Sequence, residues 1–270
     1  MISLYPLKEF KYPIIAECIN PDIFSGKTLE EIKALKIWEG NTQKNLGELF
    51  KAEENETEDT IIAIHGDVSK VRRIGKDMKT GEITIHGNVG MHLGEEMRGG
   101  KIVVQGNAES WLGSMMKDGL IEVYGNAGDY VGAPYRGCTE GMHRGKITVH
   151  GNVGNEAGAY MRNGIIKTYG CAGQFTGLRM HDGTIYVQKD CEARAGACMI
   201  DGKIIVGGFL ESILPTFTME SIKEKAKIEE NEVARGPFYL FLGDLTENGN
   251  GKLYVSKQRN PHLSHYERLI

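Results

Sequence analysis

No CxxC pair occurs, and the five cysteines, Cys18, Cys138, Cys171, Cys191 and Cys198, sit among small or apolar neighbours. That spacing argues against a zinc, iron-sulfur or disulfide framework and fits a reduced, intracellular setting. Proline is scarce, seven residues against 36 glycines, so the glycine excess is not that of collagen or a low-complexity chain; it marks recurring turns. Positive charge is not in excess either: a formal charge of −4 and a pI near 6.1 leave no general basic field for nucleic acid or an acidic membrane. The segment MISLYPLKEFKYP lacks a long apolar run, and no stretch approaches the roughly 20 apolar residues that span a bilayer. The expectation is a cytoplasmic protein that binds neither nucleic acid nor membrane.

Several catalytic signatures are missing as well. There is no Walker A motif, no G-x-G-x-x-G set between strand and helix, no G-x-S-x-G elbow and no HExxH helix. No self-sufficient active site is read, and no catalytic, cofactor or metal residue is assigned.

What is present is a repeat. The segments GKDMKTGEITIHG (75–87), GEEMRGGKIVVQG (94–106), GSMMKDGLIEVYG (113–125), TEGMHRGKITVHG (139–151), GAYMRNGIIKTYG (158–170), GLRMHDGTIYVQK (177–189) and GACMIDGKIIVGG (196–208) share one frame. Thr139 and Lys189 alone break its outer glycines. The middle glycines, Gly81, Gly100, Gly119, Gly145, Gly164, Gly183 and Gly202, are spaced 19, 19, 26, 19, 19 and 19 residues apart, so one seven-residue insertion interrupts a strict period.

Residues two and four after each middle glycine alternate as a strand with one buried face does: Ile83 and Ile85, Ile102 and Val104, Ile121 and Val123, and so on to Ile204 and Val206. A second inward set follows the closing glycine: Val89, Ala108, Ala127, Val153, Ala172, Cys191 and Leu210. Nineteen residues hold a few short strands, too few for a propeller blade of about 40. The pattern predicts a mainly β fold, a single-stranded right-handed parallel β-helix of about seven to eight coils, with small α+β caps at both ends. Coils about 4.8 Å apart would make seven of them a rod of roughly 34 Å. The methionines Met78, Met97, Met116, Met142, Met161, Met180 and Met199 share one repeat position and read as flexible core filler.

The chain divides into an N-terminal cap (1–60), the β-helix (61–214) and a C-terminal segment (215–270). Thr28 to Glu31 spells a capping box for a short helix through about Leu35. After Pro215, Thr218 or Ser221 is expected to cap a charged, solvated helix through about Glu230, ended by Gly236 and Pro237. FYLFLGDLTENGNGKLYVS then reads as a terminal hairpin or an arm onto another subunit.

Two surface features invite contact. Lys79, Arg98, Lys117, His143, Arg162, His181 and Ile200 stand two before the middle glycines, a mostly basic ridge able to hold an acidic partner surface or a carboxylate-rich coenzyme. The insertion, Ala133 to His143, offers Tyr135, Arg136 and Glu140. His65, His86 and His150 share a position with Gln105, Tyr124, Tyr169 and Gln188, which favours a polar ladder over a metal column. From another class, a β-helix carbohydrate enzyme would need acids clustered on the strand exterior, and Thr84, Val103, Glu122, Thr148, Lys167, Tyr186 and Ile205 supply none.

The sevenfold G-x-x-M-x-x-G-x-[IL]-x-[VI]-x-G frame over 75–208, together with the GDLTENGNGKLYV tail, resembles the C-type subunit of formylmethanofuran dehydrogenase. The repeat alone is also similar to the carboxy-terminal GXGXG domain of glutamate synthase, which belongs to a longer chain. The resemblance implies a structural subunit of an oxidoreductase complex that reduces carbon dioxide and attaches it to methanofuran, the first step of methanogenesis. It implies a tungsten or molybdenum pterin, iron-sulfur clusters and a dinuclear metal site on other chains, with the pterin-containing and amidohydrolase-like subunits as partners. The equivalent subunit of the formyltransferase/hydrolase complex of methylotrophic bacteria is the alternative.

Overall fold

The computed structural model describes residues 1–55 and 61–270. Its elements in chain order are β1 (Ile2–Pro6), β2 (Ile14–Ile15), α1 (Pro21–Phe24), α2 (Leu29–Lys33), β3 (Lys36–Glu39), β4 (Thr42–Asn45), α3 (Leu46–Leu49), β5 (Phe50–Glu54) and β6 (Ile61–His65). There follow β7 (Val71–Arg72), β8 (Glu82–His86), β9 (Arg98–Val104), β10 (Asp118–Val123), β11 (Lys146–Val149), β12 (Ile165–Thr168), β13 (Thr184–Val187) and β14 (Lys203–Val206). The last strands are β15 (Thr218–Glu229), β16 (Glu232–Gly243) and β17 (Gly251–Ser256). The protein is mainly β: a 13-stranded, mostly parallel sheet beside a four-stranded one of order β4-β3-β2-β7. No described helix is long and apolar enough to cross a membrane.

The repeat sets the register of the large sheet. Ile62, Ile83, Ile102, Ile121, Ile147, Ile166, Ile185, Ile204 and Leu253 pair in sequence from strand to parallel strand. Each is 1% exposed or less, so one face of every short strand enters the core as the alternation predicts. Burying such a side chain is worth about 1.5–3 kcal/mol, which makes the stacked column a main source of stability. Bridges join the second inward set, Val68 to Val89, Ala108 and Ala127, then Val153 to Ala172, Cys191 and Leu210. Beside it, Asn88 Oδ1 accepts from the Asn107 backbone N–H at 2.9 Å and Asn107 Oδ1 from that of Asn126 at 2.8 Å, a turn column of stacked amides.

The pairing of methionine with glycine in the frame has a steric cause. A Cβ on Gly100 would lie 2.6 Å from the Met78 Cε of the preceding unit, and Gly119, Gly145, Gly164, Gly183 and Gly202 each meet the preceding methionine in the same way. The methionine tip fills the space that glycine leaves, so both residues recur together. All seven methionines are fully buried.

Across the 26-residue interval the ladder does not shift: Ile121 still pairs with Ile147. Thr139 is not the frame position of the fourth unit. Gly132 is, since its N–H donates to Leu112 as Gly113 donates to Leu93, and Met142 N–H then donates to Gly132. The insertion therefore bulges between glycine and methionine, where 135–140 are exposed.

At the start, Thr28 Oγ1 accepts from Glu31 N–H at 3.3 Å while Glu31 Oε2 accepts from Thr28 N–H at 2.7 Å, the expected capping box of α2. At the end, the expected charged helix is absent. Residues 218–229 form β15 instead, antiparallel to β16, because alternate side chains such as Ala226 and Ile228 have a sheet face to bury against. Glu and Lys favour helix locally, but that weak preference loses to tertiary packing. The β15/β16 hairpin packs Ala226, Ile228, Ala234 and Phe238 around Ile205, with Tyr186 and Tyr254 beside them. Hence Lys167 and Ile205, read from sequence as exterior, are buried. β17 pairs antiparallel with β16 and parallel with β14, so the tail supplies the next rung of the ladder.

Candidate functional site

The basic ridge is held by the backbone. Each of Arg98, Lys117, His143, Arg162, His181 and Ile200 donates its N–H to the methionine carbonyl of the preceding unit at 2.7–2.8 Å, which stacks their side chains in one column. At the start of the column Arg98 has a counter-charge: its Nε and Nη2 both donate to Asp77 Oδ1 at 3.1 Å. Asp22 of α1 accepts from the backbone N–H of Lys79 at 2.6 Å and from Thr80 Oγ1 at 2.6 Å.

Further along, the charges have fewer partners. Arg162 Nη1 lies 3.3 Å from His181 Nδ1, Nη2 donates to the Thr139 carbonyl at 3.4 Å, and Nε is buried without a partner. His143 Nε2 stands 3.7 Å from Glu140 Oε2 but outside hydrogen-bond geometry. Burial, then Lys117 and Arg162, push the His143 imidazole below its ordinary pKa; burial and Arg162 do the same at His181. The structure thus brings Lys117, His143, Arg162, His181 and Glu140 together, with Lys79 and Arg98 at the far end of the column.

Tyr135 of the insertion leans back onto the preceding units. Its ring centroid is 5.7 Å from that of His92 and 6.0 Å from that of Trp111, while His92, Trp111 and Tyr130 stack in series at 5.2 and 4.6 Å. Trp111, Tyr130, Tyr135, Arg136, Glu156 and Tyr160 enclose a small cavity of about 130 Å³. Burial, then Asp129, raises the Glu156 carboxyl pKa, and Arg136 opposes this.

The His92 cluster is one that sequence reasoning missed. Burial, then Arg73, pushes the His92 imidazole down to about 4, and burial raises the Glu95 carboxyl although Arg73 Nε is 3.2 Å from it. The signal was legible: Arg73, His92, Trp111 and Tyr130 recur every 19 residues, all at positive φ between 61° and 67°. The outward ring ladder is likewise a stack, Tyr5 on His65 on His86 and, further on, Tyr124 on His150.

Among the described residues no group of three or more His, Cys, Asp or Glu is placed to hold a metal. Burial pushes the Cys18 and Cys191 thiols up to about 12.

No family model matches the chain. The C-type subunit of the tungsten-containing formylmethanofuran dehydrogenase 2 of Methanococcus maripaludis is 48% identical over 257 residues, covering 93% of this chain and 94% of that protein. The C-type subunit of the molybdenum-containing formylmethanofuran dehydrogenase 1 of Methanothermobacter marburgensis is 47% identical over 90 residues, and that match spans 33% of this chain and 22% of the relative. Among solved structures, a chain of the formyltransferase/hydrolase complex from Methylorubrum extorquens, crystallised with methylofuran, superposes with a TM-score of 0.84 at 26% identity, covering 94% of this chain and 99% of the other.

Proposed function

Because the chain belongs to the C-type subunit family of formylmethanofuran dehydrogenase, by 48% identity along 93% of its length, we propose that it is the structural subunit of such a complex. In this reading the complex reduces carbon dioxide and attaches it to methanofuran, and this chain organises the pterin-containing and amidohydrolase-like subunits in the cytoplasm. The tungsten or molybdenum pterin, the iron-sulfur clusters and the dinuclear metal site lie on those other chains. The near-full-length identity carries the reading.

The architecture is consistent with it. We read the stacked ladders as the coils of a right-handed parallel β-helix spanning 61–214, with 1–60 and 215–270 covering its two ends. An open sheet end invites aggregation, and the antiparallel strands β5 and β15 lie outermost at either end of the sheet. The interior is filled with isoleucine, valine and methionine, which suits a rigid spacer. Lys79, Arg98, Lys117 and Arg162 on the ridge, and Tyr135, Arg136 and Glu140 on the insertion, are the contacts to a partner or to the coenzyme. The match to the formyltransferase/hydrolase complex keeps that methylotroph assembly as the second reading, at lower identity.

Affinity purification of the tagged full chain from its native host is the test. Larger subunits bearing tungsten or molybdenum should co-purify, and Arg98→Glu with Arg162→Glu should weaken their retention. Recovery of the chain alone would sink the assignment.

A further inference from the structure

Arg162 and His143 carry hydrogen-bonding capacity that the protein leaves unused. Arg162 Nε and His143 Nε2 are buried N atoms with no partner, so neither is committed to an acceptor of the fold. They occupy successive positions of the ridge, each N–H bonded to the methionine of the unit before. The contrast with Arg98, which Asp77 grips through two donors at 3.1 Å, shows that a carboxylate meets this column where the fold supplies one.

Near the insertion the carboxylate that faces His143 among the described residues is that of Glu140, 3.7 Å away and 58% exposed at its side chain. The neighbouring acids face another way: Asp118 Oδ1 accepts from Gly119 N–H at 2.7 Å and Asp182 Oδ1 from Gly183 N–H at 2.6 Å. We propose that Lys117, His143, Arg162 and His181 form a cradle for one oxyanion group, a carboxylate or phosphate, seated against the ridge beside the insertion loop.

The donors are already arranged. A guanidinium has no acceptor, so in the 3.3 Å contact Arg162 Nη1 donates and His181 Nδ1 accepts, which leaves the His181 proton on Nε2 as a further donor. The Thr139 carbonyl steadies the other arm of the fork at 3.4 Å. Burial together with Lys117 and Arg162 holds His143 toward its neutral form against the pull of Glu140, and burial with Arg162 holds His181 there. A bound anion reverses that balance at His143 and favours its protonated imidazole, while His181 keeps Nδ1 unprotonated to accept from Arg162. Binding therefore takes up a proton and tightens as pH falls.

The inference specifies the ligand chemistry of the ridge proposed above and rests on that reading of it. Inorganic phosphate and citrate are titrated separately into the full chain while the ring signals of His143 and His181 are followed by NMR. Saturable shifts are expected with at least one probe, and the probe that binds identifies phosphate or carboxylate as the preferred group. Affinity should fall about tenfold or more in Arg162→Gln and in Arg162→Lys, which keeps the charge but lacks the planar fork, and rise in Glu140→Gln. It should be unchanged in Arg235→Gln, an exposed arginine of β16 outside the ridge, and weaker at about pH 8 than at about pH 6. Absence of saturation by both probes, or equal loss in Arg235→Gln and Arg162→Lys, overturns the cradle. Retention of the other subunits by these variants is a separate measurement, so the ridge reading and the cradle can fail independently.

Discussion

Lys167 Nζ lies 2.9 Å from Glu229 Oε1, so a rung of the parallel ladder is clasped by a residue 62 positions further along the chain. Glu232 Oε2 approaches the same amine at 2.5 Å, and Lys146 holds Glu229 from the neighbouring rung at 2.7 Å. Burial alone would lower the Lys167 pKa, but the hydrogen bonds that its ammonium donates to Glu232 and Glu229 win and raise it. The ammonium at 3% exposure is stable only because the hairpin brings its counter-charges.

Lys167→Ala should therefore destabilise the protein by about 2–4 kcal/mol in urea denaturation, because Glu232 is left without its cation. The triple variant Lys167→Met, Glu229→Gln, Glu232→Gln should recover most of that loss. A single variant within about 0.5 kcal/mol of the parent would show that the clasp is incidental.

His92 gives the stability curve a definite sign. With its folded pKa near 4, the native state stays unprotonated while the unfolded chain takes up a proton below about 6.5. Stability from His92 is thus fully present above about pH 6.5 and is lost as pH falls toward 4, on the order of 2 kcal/mol. Glu95, whose carboxyl pKa burial raises, works in the opposite sense and offsets part of the loss. The stability difference between the parent and His92→Gln should narrow steadily across this range in denaturation at stepped pH. A constant difference would contradict the assignment.

Two glycines should respond very differently to alanine. A Cβ on Gly87 would collide with the Gly66 carbonyl oxygen of the strand below, whereas one on Gly137 would meet nothing within 4 Å despite its φ of +89°. Gly87→Ala should lose about 3 kcal/mol or more, since two stacked backbones must separate. Gly137→Ala should lose about 1 kcal/mol from backbone strain alone. Comparable melting temperatures for the two variants would refute the close stacking.

The ridge shows where sequence reading reaches its limit. Equal spacing placed Arg98 and Arg162 in one column, and the backbone bonds to Met78 and Met142 put them there. Nothing in the spacing told that Arg98 would find Asp77 while Arg162 Nε would find no partner. The His92 stack was similarly half legible: its period is visible, but Tyr135 reaches it only because the insertion folds back.

By itself the sequence determined the rung and its register, because each residue of the repeat meets its own counterpart one unit away, and a local period encodes such contacts directly. Even the methionine and glycine pairing is of this kind, a tip and a hollow 22 residues apart in Met78 and Gly100. Only the tertiary structure decided the fate of residues 218–229, whose alternating lysines, glutamates and small apolar residues suit helix and strand alike. Their partners, Lys167 and Ile205 among them, lie far back along the chain, and the free energy of burying that outward face settled the choice.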